Sequence, residues 1–199
     1  MDSFHSNRKE PAMFLRRSSC RNLLFAAIAI LSLANAQAQC KPPANQNPPL
    51  SPAEQASVTL NGKPITIDYC APSLKGRKVG VELAPYGKVW RTGANSATTL
   101  KTQSGLRIRD LIVPPGTYTL YTLPDEHGWK LIVNKQTGQW GTVYNQDQDL
   151  GRVDMLEGVI PSAPVEKFLI NFEHTEGNKT ELHLHWDTTN VYVPITAVD

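Results

Sequence analysis

Short segments in which apolar and polar residues alternate constrain this chain more than any other feature of its sequence. The first alternation, at 58–60, stops at Asn61-Gly62 and resumes at 65–69. Asn-Gly readily supplies the two positive φ angles of a two-residue hairpin turn. Alternation with a period of two places one face of a strand in the core and the other in solvent. The sequence therefore predicts a β-hairpin here.

Similar segments follow along the chain and bring the prediction to about ten short strands. They fall at 98–102, 106–113, 117–123, 129–133, 153–156, 165–172, 180–186 and 191–195. The turns between many of them, such as 114–116 and 176–178, leave no room for a crossover helix. We therefore expect an all-β domain, an antiparallel β-sandwich or a flattened barrel. If the domain contains a helix, we expect it at 51–56, where Ser-Pro-Ala-Glu resembles a capping box.

The first 38 residues have the order of a secretory signal peptide. Three arginines between positions 16 and 21 precede an uncharged apolar run at 23–33, and small residues follow up to Ala38. The run of about 11 residues is shorter than the roughly 20 that a permanent membrane helix needs. We expect cleavage after Ala38 by the general secretory route, with Met1 and Met13 as alternative starts, and no stable transmembrane segment.

The remainder divides into a tether and one domain. Proline and polar residues without an apolar period predict an extended tether at 39–56, and 57–199 forms a single β domain. Gln39 stands before Cys40, where a lipid-anchored protein would have a small residue, so a lipoprotein is disfavoured. The expected location is the periplasm or the exterior of the cell.

The charge balance argues against a nucleic-acid partner. The chain has 20 basic residues (Lys and Arg) and 18 acidic residues (Asp and Glu). Cleavage after Ala38 removes five basic and two acidic residues, so the mature protein has 15 basic and 16 acidic residues. A mature domain with no basic surplus lacks the electrostatic footprint for nucleic acid or an anionic membrane.

Two cysteines, Cys40 and Cys70, remain after cleavage. In an oxidising compartment they are enough for one disulfide, which would tie the mature N-terminus to the second strand. In the alternative, Cys70 is a small buried apolar residue and Cys40 stays unpaired. Both interpretations stay open.

One segment of the chain is distinctive: Pro-Tyr-Gly-Lys-Val-Trp-Arg-Thr-Gly-Ala-Asn-Ser-Ala-Thr-Thr-Leu at 85–100. Further matches occur in the same order at 72–77, 115–120, 134–141 and 149–153. Together they resemble the bacterial family called domain of unknown function 2911, or DUF2911, over about 57–195. The resemblance implies an exported β domain and supplies no reaction, cofactor or catalytic residue. Cys70, His183 and His185 depart from the family pattern.

The strand predicted at 180–186 carries a candidate metal site. Its outward-facing residues are Glu181, His183, His185 and Asp187. Two imidazoles at positions i and i+2, with a carboxylate as third ligand, suit Zn²⁺ or Cu²⁺. His174 approaches the same face if 176–178 forms a hairpin turn. The alternative is the ordinary polar outer face of a half-buried strand.

A second candidate site combines aromatic and planar polar side chains. It comprises Trp90, Arg91 and Asn95, with Trp140 from another irregular segment. An aromatic ring packs on the C–H faces of a sugar or peptide, while Arg and Asn bind hydroxyls or carbonyls. In the alternative, Trp90 fills the core and Arg91 bonds loop carbonyls.

These observations leave three functional hypotheses. The leading one is a non-catalytic envelope or periplasmic module that binds a glycan, peptide or protein through Trp90–Asn95, without a cofactor. The second is a hydrolase-like, metal-dependent enzyme that uses Zn²⁺ or Cu²⁺ at His183 and His185. The third is a purely structural module. Neither a nucleophile with its base nor a phosphate-binding loop is recognisable in the sequence.

The basic, apolar and small-residue order predicts cleavage near Ala38. N-terminal sequencing of the exported protein is expected to begin at Gln39 or Gln37. An intact leader in the envelope fraction would contradict this prediction.

Overall fold

The fold is described from a computed structural model, in which Cys40 and residues 51–198 are described. The predicted signal peptide at 1–38 and the alternative starts Met1 and Met13 lie outside the described residues. The predicted tether at 39–56 also lies outside them, except for Cys40 and 51–56. Within the described part of the chain, no helix is long and apolar enough to cross a membrane.

The described residues form twelve strands and one short 3-10 helix at Gln146–Gln148. The strands are β1 (Ala53–Leu60), β2 (Lys63–Cys70), β3 (Thr98–Thr102), β4 (Gly105–Ile108), β5 (Leu111–Val113), β6 (Gly116–Leu123), β7 (Lys130–Asn134), β8 (Asp149–Asp154), β9 (Leu156–Glu157), β10 (Val165–Glu176), β11 (Lys179–Asp187) and β12 (Thr189–Val198). One sheet has the order β1-β2-β3-β6-β7-β8, and the other has β10-β11-β12-β4-β5 with β9 beside β12. The pairings are antiparallel and the sheets are open, which confirms the predicted antiparallel β-sandwich.

The first hairpin forms where the sequence predicts it. Asn61 and Gly62 have φ angles of 49° and 73°, and Leu60 pairs with Lys63 across the turn. The predicted strand at 106–113 is instead two strands, β4 and β5. It is interrupted at Arg109, whose φ is 54°.

The helix predicted at 51–56 is wrong, because β1 begins at Ala53. Ala53 pairs with Cys70, and this register continues without a break to Leu60. A capping box stabilises only the first turn of a helix, whereas pairing with β2 satisfies the backbone groups of the whole segment.

Aromatic side chains fill the centre of the core between the two sheets. Trp90 stacks on Trp186 with ring centroids 5.4 Å apart, and Phe168 lies 5.0 Å from Trp90. Trp129 meets Trp90 edge to face at 6.3 Å. The backbone of Trp90 pairs with Thr122 of β6, so this side chain links the first sheet to the second. Such pairs stabilise a core beyond the area that they bury.

A disulfide joins Cys40 to the end of β2 at Cys70, with the two Cα atoms 5.6 Å apart. Both cysteines are buried, and Ala53 and Ala94 pack beside them. The bond closes a loop with a sequence separation of 30 residues. It therefore anchors Cys40 to the first sheet.

We predict that Cys40→Ser lowers the free energy of unfolding by about 3 to 4 kcal/mol, because the unfolded chain regains the entropy of the open loop. Urea denaturation measures this difference. A thiol reductant is expected to bring the wild-type protein to the stability of the variant and to leave the variant unchanged. Equal midpoints for the oxidised wild type and the variant would contradict the prediction.

Candidate metal centre

The hairpin of β10 and β11 brings polar side chains of the two strands onto one face. Glu173 pairs directly with Glu181, and directly paired residues of antiparallel strands lie on the same face. Leu182, Leu184 and Trp186 of β11 are buried in the core. The residues that alternate with them, His183 and His185, therefore lie on the opposite face of the sheet, the outer face, together with the paired glutamates.

A β-bulge adds His174 to the same face. The β10–β11 register shifts between Glu173 and Glu176, and His174 has a φ of 48°. Regular alternation would turn His174 away from the side of Glu173. Beyond the bulge, Thr175 Oγ1 lies 2.8 Å from Thr180 Oγ1, and Thr180 is buried on the core side. The bulge thus places two consecutive residues, Glu173 and His174, on the outer face.

Two carboxylates connect three imidazoles into a chain, which we call the imidazole–carboxylate cluster (His174, Glu181, His183, Glu173 and His185). Glu181 Oε2 lies 2.6 Å from His174 Nδ1 and 3.0 Å from His183 Nε2. Glu173 Oε1 lies 2.9 Å from His185 Nε2, and its Oε2 lies 3.7 Å from His183 Nε2. His183 Nε2 is therefore the centre of the cluster.

The cluster contains two overlapping ligand sets. Glu173, His183 and His185 form one, and His174, Glu181 and His183 form the other; in each, the ligand atoms lie within 4.8 Å of one another. Imidazole nitrogens and carboxylate oxygens are the donors with which proteins bind Zn²⁺ and Cu²⁺. The side chain of His183 is only 4% exposed, whereas that of His174 is 72% exposed.

The orientation of His183 is fixed by Asn190. Asn190 Nδ2 donates to the carbonyl oxygen of Val159 at 3.0 Å, which leaves its Oδ1 facing His183 Nδ1 at 3.0 Å. An amide oxygen accepts only, so His183 Nδ1 carries a hydrogen. In the neutral ring the lone pair then lies on Nε2, among the carboxylates of Glu173 and Glu181. Nε2 is therefore the ring atom that can share a proton with these carboxylates or bind a metal ion.

The neighbours of both glutamates favour their charged forms. Burial by itself raises the pKa of Glu173, but hydrogen bonds from Asn171 and His185 and the nearby imidazoles hold that pKa below its ordinary value. Hydrogen bonds from His174 and His183 lower the pKa of Glu181. A carboxylate binds metal when it is deprotonated, so the lowered pKa values keep both glutamates in the form that can act as a ligand.

The structure brings together His174, His183 and His185, which the sequence analysis proposed as ligands. Asp187, at the end of β11, belongs to neither ligand set. Two participants, Glu173 and Asn190, were missed. Glu173 directly precedes His174, and that adjacency is the one signal in the sequence that marks it.

The residues proposed for glycan or peptide binding separate in the structure. Trp90 is buried among the core aromatics, so its ring faces are covered by protein. Arg91, Asn95 and Trp140 do come together, because Gly141 N donates to Asn95 O at 3.1 Å and Ser96 pairs with Trp140. Trp140 is 53% exposed, so of the two tryptophans it is the one that presents its ring to solvent.

Arg91 is half-buried beneath the segment that contains Gly141. A Cβ atom at position 141 would lie 2.0 Å from Arg91 Cδ and 2.5 Å from Asn95 O, so glycine permits this close approach. Arg91 Nε is buried and has no hydrogen-bond partner among the described residues, and burial lowers the pKa of Arg91. The contacts of its aliphatic stem indicate a packing role.

In a comparison with protein families, the family described as "Protein of unknown function (DUF2911)" matches residues 51–195. No curated protein and no solved structure matches the chain. The match covers β1 to β11 and most of β12, and with them the whole imidazole–carboxylate cluster.

We predict that Arg91→Ala lowers the free energy of unfolding by about 1 to 3 kcal/mol, because the stem that packs against Gly141 is lost. Arg91→Met keeps an unbranched stem and removes the buried Nε donor, so its stability is expected to stay within about 1 kcal/mol of wild type. Urea denaturation of the two variants gives the comparison. Equal destabilisation would show that the guanidinium group itself stabilises the fold.

Proposed function

Because the chain belongs to the DUF2911 family of proteins of unknown function, we propose a function from its own residues. We propose that the protein is an exported, non-catalytic module that binds a divalent transition-metal ion, Zn²⁺ or Cu²⁺, at the imidazole–carboxylate cluster. The observation that carries this proposal is the position of His183 Nε2, which lies 3.0 Å from Glu181 and 3.7 Å from Glu173.

The composition of the cluster supports a metal ligand. Each of the two ligand sets supplies three imidazole or carboxylate donors, the number of protein ligands in zinc sites that keep a fourth position open. The hydrogen bond from His183 Nδ1 to Asn190 is the kind of outer contact that orients a metal-binding imidazole. The ring of Tyr192 stacks on His183 at 4.7 Å and further restrains it.

Export is supported by two independent features. The first is the signal-peptide order of residues 1–38. The second is the disulfide between Cys40 and Cys70, because such bonds persist in the periplasm and outside the cell and are rare in the cytosol. Both features agree with the periplasmic or secreted location that we propose.

The metal proposal takes precedence over glycan or peptide binding through Trp90–Asn95. That hypothesis needs an aromatic face at Trp90, which lies in the core. Trp140 and Asn95 remain at the surface segment beside Arg91. The metal proposal needs no rearrangement, because the cluster already presents its ligand atoms to one another.

We predict that Zn²⁺ or Cu²⁺, at about 100 times its dissociation constant, raises the melting temperature of the exported protein by about 5 to 10 °C, because it binds the folded state alone. His185→Ala and His183→Gln are expected to reduce this rise by about half or more at the same ion concentration, and calorimetric titration gives the affinity. His127→Ala, a change at an exposed imidazole outside the cluster, is the matched control and keeps it.

The folding of each variant is checked by its melting temperature without metal. If neither ion changes the melting temperature of the wild-type protein at several times the protein concentration, the proposed function is wrong. If His127→Ala lowers the affinity as much as His185→Ala, binding takes place at dispersed surface imidazoles.

A further inference from the structure

The two ligand sets of the cluster differ in their access to solvent. The outer set ends in His174, which is exposed, and the inner set ends in His185, whose side chain is only 14% exposed. His183 belongs to both. The cluster therefore forms one continuous row of donors that runs from the exposed His174, through the buried His183, to the largely shielded His185.

The two sets cannot bind separate ions through His183 at the same time. Its Nδ1 is bonded to Asn190, so Nε2 is the one ring atom available for a metal. An ion held by the outer set can reach the inner set without leaving His183. It exchanges Glu181 for Glu173 and His174 for His185, and each carboxylate already lies beside His183 Nε2.

The backbone at His174 determines where its side chain lies. Its φ of 48° is in the left-handed region, which histidine adopts more readily than most residues and which occurs here within a β-bulge. The bulge that contains His174 turns the imidazole onto the outer face, where its Nδ1 lies 2.6 Å from Glu181 Oε2.

From this geometry we infer that the protein exchanges its metal ion along the cluster. The outer set of His174, Glu181 and His183 captures the ion, and the inner set of Glu173, His183 and His185 retains it. Release follows the same path in reverse. This inference rests on the proposed function and deepens it: the protein is a metal carrier that takes up and gives up its ion.

The inner set is the resting position for physical reasons. It supplies two imidazoles whose side chains are only 4% and 14% exposed, and side chains that are already held in place lose little rotamer freedom when they bind an ion. The outer set depends on an exposed side chain that loses rotamer freedom when it binds.

The test separates the rate of metal exchange from the affinity. The variants are His174→Asn, chosen because asparagine tolerates a positive φ, and His185→Ala. For each exported protein, stopped-flow mixing with Zn²⁺ and a fluorescent zinc chelator gives the association and dissociation rates, and competition at equilibrium gives the affinity. His127→Asn is the control for the loss of an exposed imidazole.

We expect His174→Asn to slow association and dissociation by a similar factor, about 10-fold or more, and to leave the affinity within about 3-fold of wild type, because the resting site is intact. His185→Ala is expected to lower the affinity by about 10- to 100-fold, mainly by faster dissociation. His127→Asn changes neither quantity.

Three results would overturn the inference. Unchanged rates in His174→Asn would remove His174 from the path. A loss of affinity in His174→Asn equal to that in His185→Ala, with normal association, would make His174 a resident ligand. Failure of the wild-type protein to bind Zn²⁺ or Cu²⁺ would reject the proposed function and the exchange path together, whereas the first two results leave the proposed function standing.

Discussion

The stacking of Trp186 on Trp90 decides which face of the β10–β11 hairpin enters the core. Trp90 is attached to the first sheet through its backbone pair with Thr122, and Trp186 belongs to the second sheet. Since neighbouring side chains in a strand point to opposite faces, burial of Trp186 commits His183 and His185 to the outer face. A slip of one residue would bury the imidazoles and expose the tryptophan. Packing in the core therefore fixes the positions of the imidazoles on the other face of the same sheet.

The bulge at His174 changes this strict alternation at one place. Before it, Phe172 faces the core and Glu173 faces outward; after it, Thr175 meets the buried Thr180. One residue of extra backbone thus places a glutamate and a histidine side by side on the outer face. The sheet retains its hydrogen bonds on both sides of the bulge, as the pairs Glu173 with Glu181 and Glu176 with Lys179 show.

The fold was more predictable from the sequence than the site. Alternation and turn residues predict the antiparallel sandwich because burial of one face of each strand is a local requirement. The turn at Asn61 forms as predicted, whereas the helix expected at Ser51 does not, since pairing with β2 overrides a local capping signal. Glu173 and Asn190 reach His183 only through cross-strand register, which no local pattern specifies. The sequence allowed Trp90 to be either a ligand-binding aromatic or a core side chain, and its burial in the structure shows that it is a core side chain.

A comparison with the other sheet shows why the imidazole–carboxylate cluster suits an exchangeable cation. On the first sheet the buried carboxylate of Asp68 has a permanent cation, because Lys101 Nζ lies 2.8 Å away and Gln55 donates to its other oxygen. Among the residues that the structure describes, the ion-pair partners of Glu173 and Glu181 are imidazoles.

A lysine carries its charge at every physiological pH, and it has no lone pair for a metal while it does so. An imidazole is a cation only when it is protonated, and in its neutral form it offers a lone pair to a metal ion. The positive charge beside Glu173 and Glu181 therefore comes from solution, either as a proton on an imidazole or as a metal ion bound by one. Under the proposed function, the protein fixes the positions of the donors and the metal ion is replaceable, which is the property that a carrier needs and a purely structural ion pair lacks.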